Sequence, residues 1–243
     1  GASVAAVARP AKAVGCAHVR ELRARLAEAG TVGRRFLDDA DAPPLPALHA
    51  QIGSDAEAAL RRNLAGLSES VVHALADALA TARRVHVFGM GGSSAVFAQE
   101  LQQRLTRLGL PVAACSDAVA MRMLAATLEH GDLVIAMSIS GRNRELLDAC
   151  DIATGYGARL AAFTRADTPL ATQAHWLLPL VLDETDFVFK PSASRYALLL
   201  AIDVLATTVA LRDQAGNRER LRRIKLALDT WRGGGDERLP LGD

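Results

Sequence analysis

Aromatic residues make up only 4% of this chain, although half of its residues are hydrophobic. A core must therefore be built from Ala, Leu and Val rather than from large rings. Over 243 residues that suffices for a full core without covalent staples. Cysteine is equally scarce. Cys16, Cys115 and Cys150 are odd in number, and no Cys-x-x-Cys pair occurs. This argues against a disulfide framework or a zinc site and fits a reducing cytoplasm; no metal or other cofactor is expected. Cys115 and Cys150 sit in apolar runs and read as small core residues. An excess of one charge is also missing. The formal net charge is +1, which gives no overall electrostatic case for a nucleic acid or a membrane surface. No secretory leader is expected, because Arg9, Pro10 and Lys12 interrupt the apolar start. The most apolar stretch, 197–211, contains Asp203 and is too short to span a bilayer, so it reads as a buried helix.

What the chain does have is a change of rhythm. The first thirty residues read as helix, with Val14, Val19, Leu22 and Leu26 on one face and Arg20, Glu21, Arg23, Arg25 and Glu28 on the other. A Pro- and Asp-rich stretch, 38–46, then marks a linker, so a boundary is placed between 1–44 and 45–243. From 48 to 82 the pattern is again helical, broken near Gly66-Leu67-Ser68, with Ser68 or Ser70 as a cap. Short apolar runs follow at 84–88, 112–115, 133–137, 160–164 and 176–179. Amphipathic stretches separate them at 93–108, 118–128, 143–155 and 170–173. Continuously apolar strands alternating with helices imply a parallel sheet covered on both faces. The fold class is α/β: a doubly wound five-stranded parallel sheet in an α-β-α sandwich, with additional N- and C-terminal helices. Residues 192–232 read as two long helices, and no internal repeat is visible.

Ligands of such sheets bind beyond the carboxyl ends of the strands, and two of these ends carry unusual chemistry. The first is Gly89-Met90-Gly91-Gly92-Ser93-Ser94. Its glycines permit a tight turn, and the helix that follows aims free N–H groups and a positive dipole end into the loop. A dinucleotide reading stays open, although its third glycine position holds Ser94; Asp117 would be the acidic residue closing the next strand. The second is Ser138-Ile139-Ser140-Gly141-Arg142-Asn143-Arg144-Glu145. Two hydroxyls two residues apart on a tight turn can face one anion, and Asn143 suits the N-cap of the next helix. Each hydrogen bond to a charged group contributes about 1.5–3 kcal/mol, so four or five would hold a phosphate monoester at micromolar strength. Either loop alone reads first as a capped turn; the pair reverses this and favours a phosphate site of Gly91, Ser93, Ser94, Ser138, Ser140 and Asn143.

These residues resemble the SIS (sugar isomerase) domain, a phosphosugar-binding fold. The resemblance runs from Arg84 to the low 200s. It is carried by Val87-Phe-Gly-Met-Gly-Gly-Ser-Ser94, Gly131-Asp-Leu-Val-Ile135, Ser138-Ile-Ser-Gly141 with Glu145, Gly157-Ala-Arg-Leu-Ala-Ala-Phe-Thr164, and Pro169-Leu-Ala171 with Ala174. It implies that Ser93 (with Ser94), Ser138 and Ser140 grip a phosphate. Asn143 stands where the family carries Thr. The run Ser194-Arg-Tyr-Ala-Leu-Leu-Leu-Ala-Ile-Asp-Val-Leu205 resembles the C-terminal helix of RpiR-type transcriptional regulators, which join a helix-turn-helix domain to an SIS sensor. The stretch from Ser3 to Leu26 is similar to the recognition helix of that domain and the helix after it. By this resemblance 1–44 is a truncated or degenerate remnant of a helix-turn-helix. Arg9 and Lys12 are its candidate DNA contacts, and DNA is a partner of the intact regulator. Pro10 replaces the family's aromatic residue, and an interior proline costs about 3 kcal/mol or more. A packing or dimerising role for this segment is an equal alternative.

The resemblance implies a homodimer or homotetramer. The function implied is a sensor whose sugar-phosphate ligand modulates DNA binding, with Asp117, Lys190, Ser192 and Arg195 as further sugar contacts read from loop position. The alternative is a phosphosugar isomerase, which needs a general acid and base. Glu145 and Glu184 are its first candidates, followed by Asp186, His130 and His175; no pair with clear spacing stands out. An assembly scaffold with an empty pocket is the third class.

Overall fold

The computed structural model describes residues 21–22, 44–182 and 192–234. The chain divides into two compact units: Ser54–Asp183 with Ala193–Asp243, and Gly1–Gly53 with Glu184–Ser192. The larger unit holds the sheet. Its five strands are β1 (Val85–Gly89), β2 (Val112–Cys115), β3 (Leu133–Met137), β4 (Arg159–Thr164) and β5 (Trp176–Pro179). All pair in parallel, in the order β2-β1-β3-β4-β5. The helices are α1 (Leu45–Gly66), α2 (Glu69–Thr81), α3 (Gly92–Thr106), α4 (Ala118–Ala125), α5 (Arg144–Gly155), α6 (Pro169–Gln173), α7 (Ser194–Ala210) and α8 (Gln214–Trp231).

Every residue of β1 and β3 is buried, as continuously apolar central strands require. Alternation sends their side chains to two separate cores. Val85, Val87, Leu133, Ile135, Met137 and Phe163 pack with Leu75, Leu79, Leu101, Leu105, Ile202 and Leu205 of α2, α3 and α7. Phe88, Val134, Ala136, Leu160 and Ala162 pack with Met121, Leu146, Cys150 and Leu170 of α4, α5 and α6. The few aromatics are spread accordingly, with Phe163 in one core and Phe88 in the other. The apolar run of α7 is a core helix: Ala197, Leu198, Ala201, Ile202 and Leu205 are buried in the first cluster.

Element ends differ from the pattern reading by a few residues, for local reasons. β1 extends to Gly89 because Gly89 pairs with Met137 on β3. α3 stops at Thr106, short of 108, before the turn at Gly109, whose φ is 77°. α4 stops at Ala125, short of 128; Thr127 and Leu128 donate instead to carbonyls three residues back, which tightens the chain into turns. Ser68 occupies the N-cap position of α2, but its hydroxyl pairs with Ser70 Oγ at 2.9 Å and makes no capping bond. The helical reading of 1–30 and the linker at 38–46 fall largely outside the described residues.

At the amino ends of the strands one ion cluster ties β1 to β3. Asp132, 1% exposed, accepts from Arg83 at 3.0 and 3.1 Å, from Arg84 at 2.7 and 3.3 Å, and from the Glu129 N–H at 3.0 Å. Burial pushes this carboxyl upward. The guanidinium bonds of Arg84 and Arg83 outweigh burial and hold it down at about 2.

Candidate functional site

The strand order reverses direction between β1 and β3, the place where doubly wound sheets bind ligands. Both sequence-predicted loops leave the sheet there, from the carboxyl ends of these neighbouring strands. The first loop needs its glycines. A Cβ on Gly89 would collide with the Ser94 carbonyl, so only glycine lets α3 pass this close to the strand. Gly91 has φ 71° and ψ 147°, a region open essentially to glycine alone, and it is the N-cap of α3 without a side-chain bond. Ser93 is exposed in the first turn of α3, whereas Ser94 is buried.

The second loop is tied down more tightly. Ser138 is buried; its N–H donates to Phe163 O at 3.2 Å, and its Oγ accepts from the Gly141 N–H at 3.1 Å. Ser140 is exposed, and its Oγ accepts from the Arg142 N–H at 3.4 Å. Asn143 caps α5 as expected, its Oδ1 accepting from the Leu146 N–H at 2.9 Å. That bond leaves the amide N–H groups as the part of Asn143 able to donate to an anion. Gly141 has φ 60°, and a Cβ there would collide with the hydroxyls of Thr168 and Thr164.

Those two threonines were not among the residues singled out in the sequence as site candidates, yet they form the floor of the second loop. Thr164 ends β4 and Thr168 caps α6; their hydroxyls lie 3.3 Å apart and both residues are buried. The signal available was Thr168-Pro169, an N-cap followed by proline at the first helical position. Arg142 also reaches this loop, donating to Asp167 O at 3.2 Å, and Arg165 pairs with Asp167 at 2.9 Å. The Asp167 carboxyl is held below its usual range by its own backbone N–H and by Arg165.

Asp117 lies past the carboxyl end of β2, where its Oδ1 caps α4 by accepting from the Ala120 N–H at 2.7 Å. Arg195 stands in the first turn of α7 and donates to Tyr196 Oη at 2.9 Å. Glu145 is exposed in the first turn of α5, beside the second loop. Ser192 belongs to the smaller unit. Arg9, Lys12, Glu184, Asp186 and Lys190 lie outside the described residues. His130 and His175 are not with the loops: each precedes a strand, at the opposite edge of the sheet. His175 is engaged there, its Nδ1 accepting from the Leu160 N–H at 3.1 Å. A parallel sheet implies this placement, since residues that precede a strand lie at the edge opposite the loops.

The SIS domain family model matches residues 78–208, a span holding both loops and all five strands. This chain belongs to the SIS domain family. Its relatives include the HTH-type transcriptional regulator HexR of Pseudomonas aeruginosa, 34% identical over 236 residues, covering 93% of this chain and 82% of that protein. In fold, this SIS protein resembles the sugar isomerase domain of an RpiR transcription factor from Sphaerobacter thermophilus. That match has a TM-score of 0.67 and 24% identity, and it covers 75% of this chain and 98% of that one. It also resembles the Vibrio vulnificus NanR protein complexed with ManNAc-6P, with a TM-score of 0.71 and 19% identity over 94% of this chain and 82% of that one.

Proposed function

We propose that this chain is the sugar-phosphate sensor of a transcriptional regulator, with the phosphate held between the loops after β1 and β3. The observation that carries the reading is their adjacency. Two turns that each open a helix leave neighbouring parallel strands at the reversal point, so two positive dipole ends and two sets of free N–H groups serve one anion. Ser93, Ser94, Ser138, Ser140, the Asn143 amide and the Gly91 backbone are the proposed donors; Ser93 and Ser140 are exposed, Ser94 and Ser138 buried. Kinship with HexR supports the regulatory role. The ManNAc-6P carried by NanR supports a phosphosugar as the ligand class.

The remaining elements of the reading follow from it. Residues 1–44 serve as the helix-turn-helix remnant and linker, with Arg9 and Lys12 toward DNA, and 45–243 as the sensor. Asp117 and Arg195 are the sugar contacts within the larger unit; Lys190 and Ser192 are proposed from sequence position alone. The protein works in the cytoplasm as a homo-oligomer. A groove of about 540 Å³ between α1, α2 and α7, lined by Leu64, Leu67, Val72 and Val204 together with Glu69, His73 and Thr208, is the surface proposed for self-association. Thermal shift against a panel of sugar phosphates tests the site. Stabilisation by at least one ligand, lost in Ser138→Ala, is expected; a flat response to every ligand in both proteins refutes it. An isomerase would retain Glu145 and Glu184 as candidates but not His130 or His175, which stand at the far edge of the sheet. NMR of the best ligand with the protein is expected to show no isomer forming at enzymatic rates.

A further inference from the structure

One buried polar side chain outside the phosphate site has an arrangement that packing alone does not require. Asn63, on α1, is 2% exposed. Its Oδ1 accepts from the Val181 N–H at 2.8 Å, and its Nδ2 donates to Val181 O at 2.9 Å and to Ala59 O at 2.8 Å. The amide thus pairs with both backbone groups of one residue, as a neighbouring strand would. Its orientation follows from the partners, since only Oδ1 can accept and only Nδ2 can donate.

Val181 lies just past the end of β5, and its neighbours lead back to the second loop. The Leu180 N–H donates to Thr164 O at 2.8 Å. The Thr164 hydroxyl, with Thr168, touches Gly141, and the Leu170 N–H donates to Gly141 O at 3.2 Å. A continuous series of bonds and contacts therefore runs from the Ser138–Asn143 turn through Thr164 and Val181 to α1, the helix that connects in sequence to the segment before residue 45.

We propose that Asn63 is a positioning residue that couples anion occupancy of the second loop to α1 through its paired bonds to Val181. This rests on the phosphate-site reading above. An anion that tightens the turn about Gly141 also fixes Thr164 and Thr168, hence the backbone of 180–181, hence Asn63. A purely structural Asn63 would cover the end of an edge strand and transmit nothing.

Hydrogen exchange of the full chain, with and without saturating inorganic phosphate, separates these roles. In the wild type, phosphate is expected to slow exchange in 138–147 and also in 56–66, the latter by about fivefold, at the low end of ordinary coupling between sites. In Asn63→Leu, similar in shape but unable to bond Val181, protection of 138–147 is expected to persist while that of 56–66 vanishes. If Asn63→Leu does not fold, Asn63→Asp is read the same way: it keeps the acceptor for the Val181 N–H, loses the donor to its carbonyl, and is expected to show weakened coupling. Protection of 138–147 without protection of 56–66 in the wild type overturns the coupling and leaves the phosphate site standing. Equal coupling in wild type and variant overturns the role of Asn63. No protection of 138–147 by phosphate overturns both readings.

Discussion

Gly141→Ala isolates the close approach at the heart of the second loop. The backbone there has φ 60°, so an alanine costs roughly 1–2 kcal/mol for the left-handed conformation alone. Its Cβ would also meet the hydroxyls of Thr164 and Thr168 and the Cβ of Thr168. Thr168 cannot yield freely. Its Oγ1 donates to Arg165 O at 2.8 Å and accepts from the Ala171 N–H at 3.3 Å, capping α6, and so receives the Thr164 proton at 3.3 Å. Displacing it sacrifices a helix cap of about 1 kcal/mol and a hydrogen bond of about 0.5–1.5 kcal/mol. The expected total is about 3–4 kcal/mol. Gly131→Ala is the control: φ is 93°, no easier for an L residue, and the space around it is open, so only the backbone cost of roughly 1–2 kcal/mol applies. At about 2–4 °C per kcal/mol for a chain of this size, Gly141→Ala is expected to melt about 4–8 °C below Gly131→Ala. Equal melting temperatures, or a larger drop for Gly131→Ala, would show that the loop does not rest on the threonines.

Two further expectations concern charge. Asp132→Ala removes the buried acceptor shared by Arg83 and Arg84, which keep Glu129 and the Thr127 carbonyl respectively, and is expected to cost about 2 kcal/mol in chemical denaturation. Because the folded carboxyl titrates at about 2, below its ordinary 3.8, the wild type keeps this contribution above about pH 4 and loses it toward pH 2; the variant is expected to lack that acid limb. His86 on β1 is buried beside Phe88, and its Nδ1 has no partner among the described residues. Burial, then the Arg84 charge, lowers its pKa below 6.5 against the opposing pull of Asp132. The unfolded chain therefore takes up the proton first, and stability is expected to fall as pH drops below about 6.5. Melting curves of His86→Leu between pH 5 and 7.5 are expected to show a flatter dependence than the wild type; parallel curves would contradict a buried neutral imidazole.

Much of the sheet was legible because its causes are local. Short apolar runs bounded by turn residues, such as Leu133–Met137, read as strands buried on both faces, and Asn143 before an amphipathic run reads as a helix start. The pairing of the two loops was legible too, since alternating β and α with right-handed crossovers puts every strand's carboxyl end on one edge. The threonines and Asn63 were not legible in the same way. Nothing local marks Thr164 and Thr168 as neighbours of Gly141, whose missing Cβ makes room for their hydroxyls. Nothing in the sequence marks Asn63, whose partner lies at residue 181.

The sequence by itself determined the elements, the chemistry at their ends and the resemblance to a phosphosugar-binding family, because propensity, capping and glycine turns act over a few neighbouring residues. The tertiary structure alone decided which polar groups share a place, because β1, β3 and β4 meet only through long crossovers, and hydrogen bonds between distant segments depend on where the packed helices bring them.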